Sequence, residues 1–194
     1  MTSILGSMLT LPNQLTLLRV LVVPLIVVVF YTEFEWRFIA CAALFGIAGI
    51  TDALDGYVAR KYNMSTPFGA FLDPVADKLI VAVALALLIE ENNNIVFTLP
   101  AVVIICREIV ISALREWMAE LGSRATVSVS SIGKLKTTLQ IIAIVVLLWF
   151  QRGSPFYLHE IGLVSLYAAA VLTLWSMFIY LKAAWPSLSG KNQD

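Results

Sequence analysis

Asp52-Ala53-Leu54-Asp55-Gly56-Tyr57-Val58-Ala59-Arg60, then eight residues, then Gly69-Ala70-Phe71-Leu72-Asp73-Pro74-Val75-Ala76-Asp77, places four carboxylates in a strongly apolar chain. Asp52 and Asp55 lie three apart, Asp73 and Asp77 four apart. On helices each pair shares a face. A lone carboxylate costs about 2.5–3.5 kcal/mol at a bilayer centre, and four together also repel one another. A cation must therefore compensate. Oxygen-only ligands favour a hard divalent ion such as Mg²⁺, Mn²⁺ or Ca²⁺.

The surrounding chain sets the phase. It has 194 residues, 60% hydrophobic and 13% charged. That is about half the usual soluble charge content of roughly 25%. Several apolar runs approach the ~20 residues needed to cross a bilayer. The expectation is one all-α membrane-embedded domain over residues 1–194, with no separate soluble module. Net charge is zero, which gives no footing for a nucleic-acid partner. Cys41 and Cys106 fall inside apolar runs and read as free buried thiols. The N-terminus has no basic n-region or small-residue cleavage site, so its first apolar run reads as a retained span.

Six transmembrane helices are expected. Residues 1–12 read as a possible interfacial segment. Pro12-Asn13 reads as a helix start with Asn13 as N-cap. The spans are then 14–31, 36–60, 67–90, 95–118, 133–150 and 160–185, followed by a polar tail over 186–194. Thr66-Pro67 reads as N-cap plus first helical residue of the third span, and Pro74 should kink that helix beside Asp73. Trp36, Trp117, Trp149 and Trp185 sit near span ends, as an aromatic belt does. His159 reads as an ordinary surface residue of a loop. Ala42, Gly46, Gly49 and Ala53 form a small-residue stripe on which another helix can pack. Six spans put both termini on one side. That side collects Arg60, Lys61, Arg115, Arg124, Lys134, Lys136, Lys182 and Lys191, against Arg37 and Arg152 opposite. The positive-inside rule then places the termini and the Asp cluster in the cytoplasm.

On a helical wheel Asp55, Gly56 and Ala59 fall within about 60° of Asp52. Gly56 and Ala59 keep that stripe free of bulk, so a ligand can approach closely. Gly69, Asp73 and Asp77 form a second stripe. Facing each other, the two make a carboxylate slot suited to one or two divalent ions, which clamp phosphate oxygens in an in-line displacement. A carboxylate with spare capacity can take a proton from an attacking hydroxyl. A carboxylate-relay cation transporter is the rival outside that class. It predicts acids near mid-span on several helices, whereas these sit at span ends beside Arg60, Lys61 and Lys78.

The whole pattern from Asp52 to Asp77 resembles the full signature of the CDP-alcohol phosphatidyltransferase family, with every signature position present. The resemblance implies a six-span core, usually a homodimer, with a site open to the cytosol. It implies transfer of a phosphatidyl group from a CDP-lipid to an alcohol, with release of CMP. It implies two divalent cations, Mg²⁺ or Mn²⁺: Asp52, Asp55 and Asp73 holding one, and Asp52, Asp73 and Asp77 the other. Asp77 would also be the general base. Gly56, Ala59, Arg60, Thr66 and Gly69 would cradle the CDP moiety, joined by Asn13 and Thr16.

Arg107-Glu108, Leu114-Arg115-Glu116-Trp117 and Gly133-Lys134-x-Lys136-Thr137-Thr138-x-Gln140 are similar to the bacterial branch that uses CDP-diacylglycerol and sn-glycerol 3-phosphate in an inner membrane. Residues 66–78 and 117–122 look enterobacterial in detail. The similarity runs from Pro12 to Lys182. The acceptor is then a dianion, and fixed positive charge is expected near the Asp slot from Arg107, Arg115, Arg124, Lys134 and Lys136. Phosphatidylglycerol or serine are the rival acceptors. The basic set argues against serine, since a neutral-headed acceptor needs less of it.

Overall fold

The computed structural model describes residues 10–62, 66–120, 131–150 and 157–188. They form six long α-helices and no strand: α1 Leu11–Phe30, α2 Arg37–Tyr62, α3 Pro67–Asn92, α4 Ile95–Glu120, α5 Ser131–Trp149 and α6 Leu158–Leu188.

Local chemistry sets the helix ends. Thr66 is the N-cap of α3, accepting from the Gly69 N–H at 3.0 Å, with Pro67 following as the sequence predicts. Asn93 closes α3 in the left-handed region at φ 40°, a conformation Asn tolerates. The Asn94 side chain then accepts from the Val96 N–H at 3.0 Å as α4 begins. At that same end the Tyr31 hydroxyl donates to Glu90, tying the end of α1 to α3 and holding the phenol above its ordinary pKa. α1 differs from the expectation. Its N-cap is Thr10 and it starts at Leu11, so Asn13 lies inside the helix with its side chain spent on a tertiary contact.

The helices close into a ring. α1 packs on α2 and α3, α2 on α5, α5 on α6, α6 on α4, and α4 on α3. Four helices contain stretches long and apolar enough to cross a membrane: Pro12–Phe30, Arg37–Val58, Ile95–Ala119 and Leu158–Lys182. In α3 the apolar run is broken by Asp73, Asp77 and Lys78, and in α5 it is confined to Leu135–Trp149. Those two helices turn their polar residues into the ring, which is why composition alone undersells them. The chain is an integral membrane protein whose outer wall is apolar: Leu21, Val28, Ile50, Phe71, Val164 and Phe178 are all exposed. The core between helices is equally apolar, built from Ile26, Phe45, Leu85, Leu88, Ile104, Ile144, Leu147 and Leu166.

Three side readings change. His159 is buried in the first turn of α6, its Nδ1 3.1 Å from the Phe150 carbonyl, so it joins the start of α6 to the end of α5. Cys41 is buried as expected, but Cys106 is exposed on the outer side of α4. In the small-residue stripe Ala42 is buried, while a Cβ at Gly46 or Gly49 would meet nothing within 4 Å, so no described helix packs closely on those two glycines.

α5 and α6 approach closely at Gly162. A Cβ there would stand 2.8 Å from Leu147 Cγ and 3.1 Å from Val146 Cγ1. Gly162→Ala should therefore overpack the α5–α6 contact and cost about 1–3 kcal/mol. Thermal unfolding in detergent checks this, with a lowered midpoint expected.

Candidate active site

The ring encloses a cavity of about 510 Å³. Its lining divides by charge. One side carries Asp52, Asp73 and Asp77, and the other carries Arg107, Arg115 and Lys136. Gly49 and Phe45 of α2 and Ile80 of α3 supply the apolar part of the wall.

On the acidic side the four carboxylates come together as the spacing predicts, with one addition. α2 and α3 touch each other little, because α1 lies against both. Its Arg19 reaches into the gap. One Nη bonds Asp52 at 2.9 Å and Asp77 at 2.5 Å, and the other bonds Asp55. Asp55 is buried behind the cavity wall, while the Asp52 and Asp77 side chains are 46% and 47% exposed. Asp73 accepts from the Thr16 hydroxyl at 2.5 Å. The guanidinium thus supplies part of the compensating charge that the sequence demanded. Among the described residues no three His, Cys, Asp or Glu side chains are drawn tightly enough to grip an ion as they stand. Asp52, Asp55 and Asp77 are arranged on the Arg19 nitrogens instead, and Asp73 on the Thr16 hydroxyl.

The donor set still fits a hard divalent cation. It is all oxygen, it has four negative charges against one guanidinium, and two of its carboxylates open to the cavity. Glu108, across the cavity, is already taken by the basic side.

Next to the acids is a polar knot. The Asn13 amide donates to Thr66 Oγ1 at 2.9 Å, and the Thr66 hydroxyl lies 3.0 Å from Asn13 Oδ1. Gly69 is essential to this packing, since a Cβ there would stand 2.5 Å from Asn13 Oδ1 and 3.2 Å from Thr66 Oγ1. Of the residues expected to cradle CDP, Asn13, Thr16, Thr66 and Gly69 are therefore brought together at the junction of α1 and α3. Gly56 follows Asp55 on α2. Ala59 and Arg60 lie on the last turns of α2, and their side chains are outside the described set.

On the basic side Arg107 and Lys136 are both buried. Glu108 Oε1 accepts from Lys136 and, at 3.2 Å, from Arg107. Arg107 also donates to Ser176 at 2.6 Å, and Arg115 donates to the Tyr180 hydroxyl at 2.7 Å. Arg107 Nε is buried without a partner among the described residues. A buried unpaired donor costs about 1–3 kcal/mol. Lys78, which also lines the cavity, donates to Ser112 of α4. Lys134 lies in the first turn of α5 with its side chain outside the described set, and Arg124 lies outside the described residues.

Sequence reasoning missed Arg19 as the partner of the acids. The signal was available: a lone Arg one and two turns after Thr16 and Asn13 on an otherwise apolar helix. Ser176 and Tyr180 gave no such signal, because hydroxyls in a long apolar helix are ordinary.

Comparisons with known proteins identify the family. The family model for CDP-alcohol phosphatidyltransferase matches residues 9–175. A protein of Sodalis glossinidius is 53% identical over 176 residues, covering 91% of this chain and 95% of its own. One from Salmonella choleraesuis is 54% identical over 173 residues, covering 89% and 93%. One from Pectobacterium atrosepticum is 54% identical over the same shares. All three are named CDP-diacylglycerol–glycerol-3-phosphate 3-phosphatidyltransferase. Enzymes of this kind generally use divalent cations. With a matched region that takes in the acidic slot, the polar knot and the basic wall alike, the chain belongs to the CDP-alcohol phosphatidyltransferase family.

Proposed function

We propose that this enzyme transfers the phosphatidyl group of CDP-diacylglycerol to sn-glycerol 3-phosphate, giving phosphatidylglycerophosphate and CMP, for phosphatidylglycerol and cardiolipin synthesis. The observation that carries the reading is one cavity with an acidic wall and a basic wall. The acidic wall suits metal-clamped pyrophosphate, and the basic wall suits an acceptor that carries its own phosphate. The names of the similar proteins point to the same pair of substrates.

Asp52, Asp55 and Asp73 would hold one divalent cation, Mg²⁺ or Mn²⁺, and Asp52, Asp73 and Asp77 a second. Ions bound there would neutralise charge on the pyrophosphate and on the departing CMP. The protein's own groups do the rest. Asn13, Thr16, Gly56, Ala59, Arg60, Thr66 and Gly69 hold the nucleotide end of the lipid. Arg107, Arg115 and Lys136, joined by Arg124 and Lys134, hold the acceptor phosphate. Asp77, open to the cavity, takes the proton of the acceptor hydroxyl. The freed oxygen attacks the phosphorus attached to diacylglycerol, and its bond to the CMP oxygen breaks. The basic residues Arg115, Lys136 and Lys182 at one end of the bundle support a cytoplasmic site and cytoplasmic termini in a bacterial inner membrane. A homodimer is part of the same proposal.

The test is CMP release by purified protein with CDP-diacylglycerol and Mg²⁺, offering glycerol 3-phosphate, phosphatidylglycerol and serine in turn. Release is expected with glycerol 3-phosphate alone. Release only with another acceptor would reassign the basic wall, and none under any condition would favour a cation-relay protein.

A further inference from the structure

Arg19 is the most completely buried charge among the described residues, at 1% exposure, and its three ionic partners there are acids that this family reading assigns to metal. Both terminal nitrogens are committed to them, while its Nε is buried with no partner among the described residues. A merely structural arginine in an apolar bundle would be expected to saturate its fork on one carboxylate with bidentate geometry. This one spreads over two helices, α2 and α3, that scarcely touch each other. Asp52 and Asp77 share a single Nη, so that nitrogen stands where one cation between those acids would stand. Asp55, by contrast, is buried with the other Nη.

We propose that Arg19 is a resident counter-cation of the acidic slot. It holds the slot assembled before divalent ions arrive, and yields Asp52 and Asp77 to them while its other Nη stays on Asp55 Oδ2, leaving Asp55 Oδ1 for the first ion. The proposal rests on the metal reading of the slot. It explains why four carboxylates can be folded beside lipid with no ion yet present. Three of them already share a guanidinium, and the fourth is held by the Thr16 hydroxyl. It also makes Arg19 a competitor of the metal. Ion binding must break the contacts to one nitrogen, and affinity is lowered by what those contacts were worth. Arg19 is thus a positioning residue rather than a group that touches the reacting atoms.

Arg19→Gln removes the charge and keeps a side chain able to hydrogen-bond. Two readouts in detergent separate the proposal from its rivals: Mn²⁺ binding, followed as free Mn²⁺ by electron paramagnetic resonance, and thermal unfolding in chelator or in Mn²⁺. The variant should bind Mn²⁺ about tenfold more tightly, equivalent to about 1.4 kcal/mol. It should unfold earlier than wild type in chelator, with most of that loss recovered in Mn²⁺. Equal or weaker Mn²⁺ binding, or the same loss of stability with and without Mn²⁺, overturns the proposal and leaves Arg19 a packing residue. If wild type itself binds no Mn²⁺, the metal reading fails instead. Should Arg19→Gln not fold, Arg19→Lys goes through the same titration. A compact ammonium cannot reach Asp55 and the Asp52–Asp77 pair together. Tighter Mn²⁺ binding is again expected, and unchanged or weaker binding again overturns.

Discussion

Asp77→Asn should reduce turnover by about 10²–10⁴-fold, the usual worth of a positioned general base, while leaving CDP-lipid binding largely intact. Asn keeps the shape of Asp and an oxygen that can still accept from Arg19, so the junction of α1 and α3 stays packed. What it lacks is a site for the proton of the acceptor hydroxyl and the negative charge of one ligand to the second ion, while the three acids of the first ion are unchanged. Asp77 is placed for that work because it opens to the cavity while Asp55, on the other Nη of the same arginine, is buried. Single-turnover CMP release, together with equilibrium binding of the CDP-lipid, checks the prediction. Turnover like that of wild type would remove Asp77 from the base role.

Arg107→Gln should lower kcat/KM for glycerol 3-phosphate by about 10–150-fold, the equivalent of one charge-assisted hydrogen bond of about 1.5–3 kcal/mol. The change should fall on the KM for the acceptor, with the KM for CDP-diacylglycerol little altered. Gln can retain the bond to Ser176, and Lys136 remains to satisfy Glu108, so the buried wall keeps its packing. Arg107 is the candidate because it lines the cavity as a buried cation. Steady-state kinetics with each substrate varied in turn decides. An unchanged acceptor KM would make Arg107 part of a structural pair with Glu108 and move the phosphate elsewhere on the wall.

The acidic slot was legible because its chemistry is local. Spacings of three and four place Asp52 with Asp55 and Asp73 with Asp77 on single helix faces, and Thr66-Pro67 announces where the second of those helices starts. The helices themselves were legible to within a few residues from apolar length alone. The misreadings share one cause, which is that tertiary contacts override a local reading. Asn13 has the residue type of an N-cap, but its amide is worth more bonded to Thr66 in the interior. His159 looks like a loop residue until the end of α5 is seen to present a free carbonyl to it. The two-stripe slot was expected to close by α2 meeting α3. Instead α1 wedges between them, and no periodicity within either stripe can reveal a third helix. The basic wall was half legible. Arg107, Arg115 and Lys136 stand out as charges in apolar helices, whereas Ser176 and Tyr180 become polar contacts only once α6 is packed on α4.

Anomalous scattering from crystals grown with Mn²⁺ and CDP-diacylglycerol reaches the central claim most directly. The account predicts manganese peaks bounded by Asp52, Asp55, Asp73 and Asp77, with the pyrophosphate oxygens of the lipid on the cavity side. Peaks elsewhere, or a nucleotide bound with Asp52, Asp55 and Asp77 still gathered on Arg19 and no metal among the four carboxylates, would contradict it.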